Sequence, residues 1–368
     1  MRVTRCASSG VCLLMLLLTG ESVRTDDPVT SSVSFNREII RIFDRKCLSC
    51  HKPDGLAMSL STYREVRPWT RAIREEIVEG RMPPWPAAKG YARFDSDIGL
   101  TPRELSTILT WADGGMPRGD DSDLPVPAHK HETGNPGAPD LTIPLPAQQV
   151  PGEWQQAVRR VTIDARIDRD RWIDHVEVRP GDEGRLRAAF VSVISDGREP
   201  LWMGGWMPWR KVVKPPAAGG FLLPAGSRLQ VDLHYLGKAD AGSDRSSIAL
   251  FFASGSRREL ASIAVAAASN AGTKPTAGGA RTLPRESLVW AVHPAPVAEG
   301  QTLEVTAHKP NGSVEVLLWI PAGRAQWPAA FILKDPVRLP AGTRVRVLST
   351  GRPVSDGGSA VLALQYAG

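Results

Sequence analysis

Apolar residues recur at helical spacing only in the first third of the chain. Phe35, Ile39, Ile42 and Phe43 form a stripe at i, i+4, i+7 and i+8, the signature of one buried helix face. Thr70 to Glu79 reads as a second helix stopped by Gly80, because glycine tolerates the left-handed turn that ends a helix. Thr101-Pro102-Arg103-Glu104 opens a third helix bearing Leu105, Ile108, Leu109 and Trp111. Its Thr can cap, its Pro fits the first helical position, and its Glu can reach back to the cap N–H. From Val158 onward the pattern changes to short β runs. Five lie in the first half: Val158 to Ile163, Trp172 to Val178, Leu186 to Ile194, Leu229 to Tyr235 and Ile248 to Phe252. Six more complete the chain: Leu288 to Val292, Thr302 to Ala307, Val314 to Ile320, Phe331 to Leu333, Arg344 to Leu348 and Val361 to Gln365. Gly, Pro and Asp clusters separate them, as turns require. The expected fold class is a multidomain α plus all-β protein: a small helical domain, then two antiparallel, jelly-roll-like β-sandwich modules.

Prolines 125, 127, 136, 139, 144, 146 and 151 fill a stretch without helical period, which predicts an extended linker over 121–151. An internal echo divides the β region in two: Leu223-Pro-Ala-Gly-Ser-Arg-Leu229 returns as Leu339-Pro-Ala-Gly-Thr-Arg-Val345. The expected organisation is a helical domain over 33–120, a first β module over 138–254, an Ala/Gly/Ser-rich hinge over 255–283, and a second module over 284–368.

Composition sharpens this picture. Gly and Pro number 34 and 31 among 368 residues, an excess that favours turns and strands over a helical bundle. The net charge of +6 is scattered, so no clustered basic surface predicts nucleic-acid binding. Arg2 and Arg5 precede the apolar run Val11 to Leu18 and a polar flank. This is the layout of a secretory signal over 1–25, with an uncleaved anchor as the alternative. The run is too short to span a bilayer, and the mature chain is expected to be exported, to the periplasm or another extracytoplasmic space, with no membrane span. Cys6 and Cys12 leave with the signal, so only Cys47 and Cys50 remain.

Those two belong to Cys47-Leu48-Ser49-Cys50-His51, the C-x-x-C-H pattern of covalent haem c attachment. Two thiols at this spacing can form thioethers to one haem while the adjacent imidazole ligates the iron. A redox dithiol and half a zinc site are the competing readings, but no second Cys pair exists to complete a zinc tetrahedron. No His lies between His51 and His129, so the second axial ligand is expected to be a thioether. Met58, Met82 and Met116 compete. Met58 is only seven residues past His51, Met116 follows a flexible Gly114-Gly115, and Met82 opens the stiff Met82-Pro83-Pro84-Trp85 loop. Met82 is the expected distal ligand. His129-Lys130-His131 in the linker is an unsupported pair.

The segments Cys47 to Pro53, Met58-Ser-Leu-Ser-Thr-Tyr63, Val66-Arg-Pro-Trp69, Arg81-Met-Pro-Pro-Trp85 and Leu109-Thr-Trp111 resemble the cytochrome c module of certain exported bacterial proteins. In that family the module is fused to a domain resembling copper type II, ascorbate-dependent monooxygenases of the peptidylglycine-hydroxylating kind. The resemblance continues in Pro139-Asp140-Leu141, Asp170-Arg-Trp172, Val176-Glu-Val-Arg-Pro-Gly181, Gly205-Trp-Met-Pro208 and Leu223 to Val231. In the second module it is carried by Pro310-Asn-Gly312, Leu317-Leu-Trp319 and Leu339 to Thr343. It implies Met82 as distal ligand and, in the family, one copper on three imidazoles and another on two imidazoles and a thioether.

The copper donors are largely missing here. The family's adjacent His pair falls at Arg187-Ala188, its first His-x-His falls on Asp232-Leu233-His234, and its second falls at Ala295 and Val297. No methionine follows Met207. The β region is therefore expected to be catalytically inactive, with His175, His234 and His293 left as donors for a rearranged copper site. Trp202, Trp206 and Trp209 read as packing. The expected function is an exported mono-haem cytochrome c carrying electrons to or from a periplasmic redox partner protein, with the β region docking a partner or binding an unknown ligand. Two alternatives stand: a copper and haem oxidoreductase of monooxygenase type, and a binding or scaffold protein with a vestigial haem.

Overall fold

The computed structural model describes residues 31–125, 137–195, 199–255, 257–269, 279–351 and 359–366. The signal segment, with Cys6 and Cys12, and the His129 and His131 pair lie outside the described residues. The protein is mostly β, in several sheets, with a small helical N-terminal part.

A π-helical turn over Phe35–Ile39 leads into α1 (Ile40–Lys46); α2 (Tyr63–Val66), α3 (Thr70–Val78) and α4 (Pro102–Asp113) come next. The expected stripe is buried: Phe35, Ile39, Ile42 and Phe43 are each at most 5% exposed and pack against Ile108 and Trp111 of α4. Both halves of the Thr101–Glu104 capping box form. Helix α2, which the apolar pattern did not indicate, has its own box: Thr62 caps the Glu65 N–H and Glu65 returns a carboxylate to Thr62 N–H. Four residues are too few for a periodic signal, so only its cap is legible.

The strands are β1 (Leu141–Pro144), β2 (Gln148–Val150), β3 (Gln156–Asp164), β4 (Arg171–Arg179), β5 (Leu186–Ile194), β6 (Leu201–Trp206), β7 (Gly219–Leu223), β8 (Arg228–Leu236), β9 (Gly242–Asp244) and β10 (Ser247–Phe252). The second half supplies β11 (Arg258–Ala266), β12 (Ala268–Ser269), β13 (Ala280–Thr282), β14 (Ser287–Pro294), β15 (Gln301–His308), β16 (Val314–Ile320), β17 (Phe331–Leu339), β18 (Arg344–Gly351) and β19 (Ser359–Tyr366). Strands β3, β8, β5 and β6 form one sheet, and β12, β13, β18, β15 and β16 another. An eight-stranded sheet in the order β1-β10-β4-β7-β11-β19-β14-β17 runs through both halves.

Three expectations change, two of boundaries and one of strand direction. The hinge over 255–283 contains β11, which pairs antiparallel with β19 from Leu260↔Gln365 to Ala266↔Ser359 and parallel with β7 at Arg258↔Gly219 and Glu259↔Gly220. This strand fuses the two halves into one sheet. The junction is crowded: a Cβ on Gly219 of β7 would come within 2.7 Å of Leu260. The linker over 121–151 supplies β1 and β2, paired with β10 and β9. Two contacts are parallel, β7 with β11 and β12 with β18, so the sheets are mixed.

The echoed Pro-Ala-Gly segments do equivalent work. Each carries the chain out of the shared sheet, from β7 or β17, into its own half's separate sheet through β8 or β18. Gly226 and Gly342 turn with φ of 73° and 79°, where glycine escapes the Cβ clash.

The helical part is docked, not tethered. Residues 85–95 leave it and join the core of the β region: Phe94 bridges Leu333, Asp95 N–H donates to Ile332 at 2.8 Å, and Ala88 N–H donates to Trp319 at 2.8 Å. Trp85 and Phe94 close on Phe331 with ring centroids 5.2 and 5.3 Å away. Apolar side chains on a short connection gain most by joining the larger core.

Candidate cofactor cavity and the cleft between the β modules

Helix α1 delivers the C-x-x-C-H motif. Past Lys46 the chain tightens: Cys47 and Leu48 N–H donate to Phe43 at 2.8 and 2.9 Å, and Cys50 and His51 N–H donate to Cys47 at 3.1 and 3.0 Å. The return loop needs Gly55, since a Cβ there would stand 2.4 Å from the Cys50 carbonyl oxygen. His51 Nδ1 lies 3.0 Å from the Met58 carbonyl. Only a protonated Nδ1 can donate to it, which leaves the Nε2 lone pair free for a metal. Burial also pushes the His51 pKa down, favouring the neutral ring a ligand must be.

Met82 is held by a second device. Helix α3 stops at Gly80, with φ 63°. Arg81 and Met82 N–H both donate to the Glu76 carbonyl, at 2.8 and 3.1 Å, while the Arg81 guanidinium grips the Glu76 carboxylate at 2.9 and 3.0 Å. The docked Trp85 then fixes the far end of the loop.

Cys47, Cys50, His51 and Met82 line one cavity of about 440 Å³. Its walls are apolar: Leu60, Ile73, Ile77, Leu100 and Ile108 come from the helical part, and Trp154, Leu236 and Trp327 from the β region. Met58 also lines it. Met116 instead packs against the helical core, its carbonyl accepting from the Tyr63 hydroxyl at 3.0 Å. The volume falls within the roughly 300–1,000 Å³ usual for cofactor pockets. Burial pushes the Cys47 and Cys50 thiols up to about 12 and about 11. A redox dithiol needs the opposite shift, because the thiolate is the reactive form. A half-buried and a buried thiol, a neutral imidazole and a thioether around an apolar volume fit a covalently attached haem. The β-region wall had no sequence signal: Trp154, Leu236 and Trp327 belong to no motif, and only tertiary docking brings them here.

The three imidazoles left as donors for a rearranged copper site do not converge. His175 on β4 is 4% exposed, stacks on Phe251 with ring centroids 4.3 Å apart, and has Nδ1 2.7 Å from Asp174. Its strand lies in the shared sheet, away from β8. His234 and His293 do meet, across a cleft of about 540 Å³ between the two halves that Asp232, Arg160, Phe190 and Trp202 also line. Phe190 touches both rings, with centroids 5.8 and 4.2 Å away. Burial pushes both imidazoles down to about 4. Met203 and Met207 are fully buried and line neither space. Among the described residues no group of three His, Cys, Asp or Glu side chains is arranged to hold a metal ion. Trp202 and Trp206 are 2% exposed, as packing residues should be. No helix among the described residues is long and apolar enough to cross a membrane.

No protein-family model matches this chain, and no curated protein matches it. Among solved structures, a peptide-N(4)-(N-acetyl-β-D-glucosaminyl)asparagine amidase is similar at 11% identity, over 62% of this chain and 97% of that one, with a TM-score of 0.30. PNGase F, a glycosylasparaginase from Flavobacterium meningosepticum, is similar at 13% identity, over 62% and 96%, with a TM-score of 0.29. The PBSX exported protein XepA is similar at 9% identity, over 62% and 87%, with a TM-score of 0.18.

Proposed function

We propose that this chain is an exported mono-haem c-type cytochrome that carries electrons, with a β region that serves as a docking or binding module. The observation that carries this reading is the cavity itself, where Cys47, Cys50, His51 and Met82 share one apolar volume. Cys47 and Cys50 would anchor the haem, and His51 and Met82 would ligate its iron. The haem supplies a one-electron ferric/ferrous couple, and a His/Met pair raises its potential. The protein's part is to keep water out and to fix the imidazole through the Met58 carbonyl. A periplasmic redox partner protein would exchange the electron.

A second reading, a copper and haem oxidoreductase of monooxygenase type, draws on one observation: His234 and His293 face one cleft. Two imidazoles without a thioether leave that site short of the donors copper uses in both oxidation states. Metal analysis decides between the readings. The full chain is made in a host that matures c-type cytochromes in its periplasm and is supplied with copper, and iron and copper are counted per chain. One iron and no copper is the expected result. Iron with stoichiometric copper favours the oxidoreductase, and folded protein without iron overturns the haem assignment.

A further inference from the structure

The turn from β2 to β3 is built against the preferences of its own residues. Gln155 N–H donates to the Gly152 carbonyl at 3.1 Å, and between them Glu153 and Trp154 both have positive φ, of 54° and 58°. That is the pattern of a type I′ turn, whose central positions ordinarily hold Asn, Asp or Gly. A bulky side chain there strains the backbone, and such strain persists only where the surroundings over-determine it. Here they do. Glu153 and Trp154 N–H donate to the Ala239 and Lys238 carbonyls at 3.2 and 3.1 Å, and Gly237 N–H donates to the Gln155 carbonyl at 2.8 Å. The two segments press together at their glycines: a Cβ on Gly152 would stand 2.8 Å from Ala241 N, and one on Gly237 2.1 Å from the Pro151 carbonyl oxygen.

What this turn holds in place is the indole of Trp154. The residue is 59% exposed and belongs to neither hydrophobic core. Among the described residues the indole stacks on no other ring and hydrogen-bonds to no group. Its place is in the wall of the cavity that Cys47, Cys50, His51 and Met82 line. Met58, 40% exposed, lines the same cavity. A large apolar ring that is fixed by a strained backbone, and that covers no part of the protein's own cores, gains its burial from whatever fills the cavity beside it.

We infer that the Trp154 indole packs on the haem and shields it from water, which makes this turn of the β region a fixed cover of the cofactor. This rests on the haem reading and extends it. The helical part anchors and ligates the haem, while the β region sets how much solvent it meets. Burial is one of the means by which a protein sets a haem's potential.

The test measures the reduction potential of the full-length haem protein and its rate of oxidation by ferricyanide, for wild type, Trp154→Ala, Trp154→Phe and the control Trp69→Ala. Trp69 is 46% exposed and lines no part of the cavity. Removing the Trp154 indole admits water, which favours the charge of the ferric state. W154A should therefore have a lower potential and be oxidised several-fold faster, with the absorbance of the thioether-ligated iron retained. W154F restores a ring and should return most of both values, and W69A should change neither. Should W154A not fold, Trp154→Asn, which tolerates a positive φ, is read the same way. An unmoved potential and rate in the haem-loaded variant overturn the cover alone, as do equal shifts in W69A. Wild-type protein without covalent haem overturns the haem reading as well.

Discussion

The cavity around His51 and the cleft around His234 and His293 are built alike in one respect and opposite in another. Both lie where separate parts of the chain meet, and both hold neutral imidazoles. The cavity gathers donors that the local chain pre-positions: two thiols and an imidazole within five residues, and a methionine whose backbone N–H is pinned to the Glu76 carbonyl. The cleft instead draws its two imidazoles from separate strands, His234 from β8 and His293 from β14. A contiguous motif carries its geometry with it, whereas dispersed donors become a site only if every strand register cooperates. His175 shows the second case: in the shared sheet β7, β11 and β19 separate its strand β4 from the β14 of His293, and the β8 of His234 lies in another sheet.

The contrast is broken most directly at the thiols. Replacing Cys47 and Cys50 together by Ala should abolish covalent attachment, with haem stain on a denaturing gel falling to background. Replacing His234 and His293 together by Gln should leave the stain at the wild-type level. If the cleft pair mattered equally for haem, cavity and cleft would no longer be distinct sites.

The next largest effect concerns the thioether. Met82→Ala should open the sixth position, so that the ferrous protein binds carbon monoxide where wild type does not, and the potential should fall. Met116→Ala, in the helical core, should change neither. Carbon monoxide titration monitored by absorbance separates them, and an unchanged M82A would hand the ligand role to Met58.

Docking comes third. Phe94 is 8% exposed between Trp85 and Phe331, and Phe94→Ala should cost about 3–5 kcal/mol, the usual range for emptying an aromatic core position. Urea unfolding measures it. A cost below about 1 kcal/mol would mean that the helical part is held mainly by other contacts.

The cleft has its own signature in pH. His234 and His293 sit at about 4 in the folded protein, against about 6.5 in an unfolded chain. Between those values the unfolded state binds more protons, so stability should fall as pH drops from about 6.5 toward 4. Allowing for partial solvent access, the loss should be on the order of 1–3 kcal/mol. The double Gln variant should flatten that part of the Tm–pH curve. A curve unchanged by the double variant would show that the imidazoles are better solvated than their packing implies.

The smallest effect is expected at the surface. Lys52, next to the motif, meets Glu183 of the β region at 2.6 Å, and Lys211 shares the same carboxylate at 2.8 Å. Lys52→Ala should cost about 0.2–1 kcal/mol, as exposed pairs do, and less in high salt. A loss above about 2 kcal/mol would promote this contact to a docking determinant.

Whatever depends on neighbours along the chain was legible in the sequence. The capping box at Thr101, the apolar stripe from Phe35 to Phe43, the Pro-Ala-Gly turns and the C-x-x-C-H motif are local, because each is stabilised by residues within a turn or two. Helix α2 hid its period in four residues but showed its cap. Tertiary packing alone makes Arg258 to Ala266 a strand joining the two halves: its burial follows no alternation, and pairing with β19 and β7 is what holds it extended. The same packing closed the cavity with Trp154, Leu236 and Trp327 and parted His175 from His234. Burial and charge pairing are properties of the packed molecule, and no local pattern encodes which distant residue will be the neighbour.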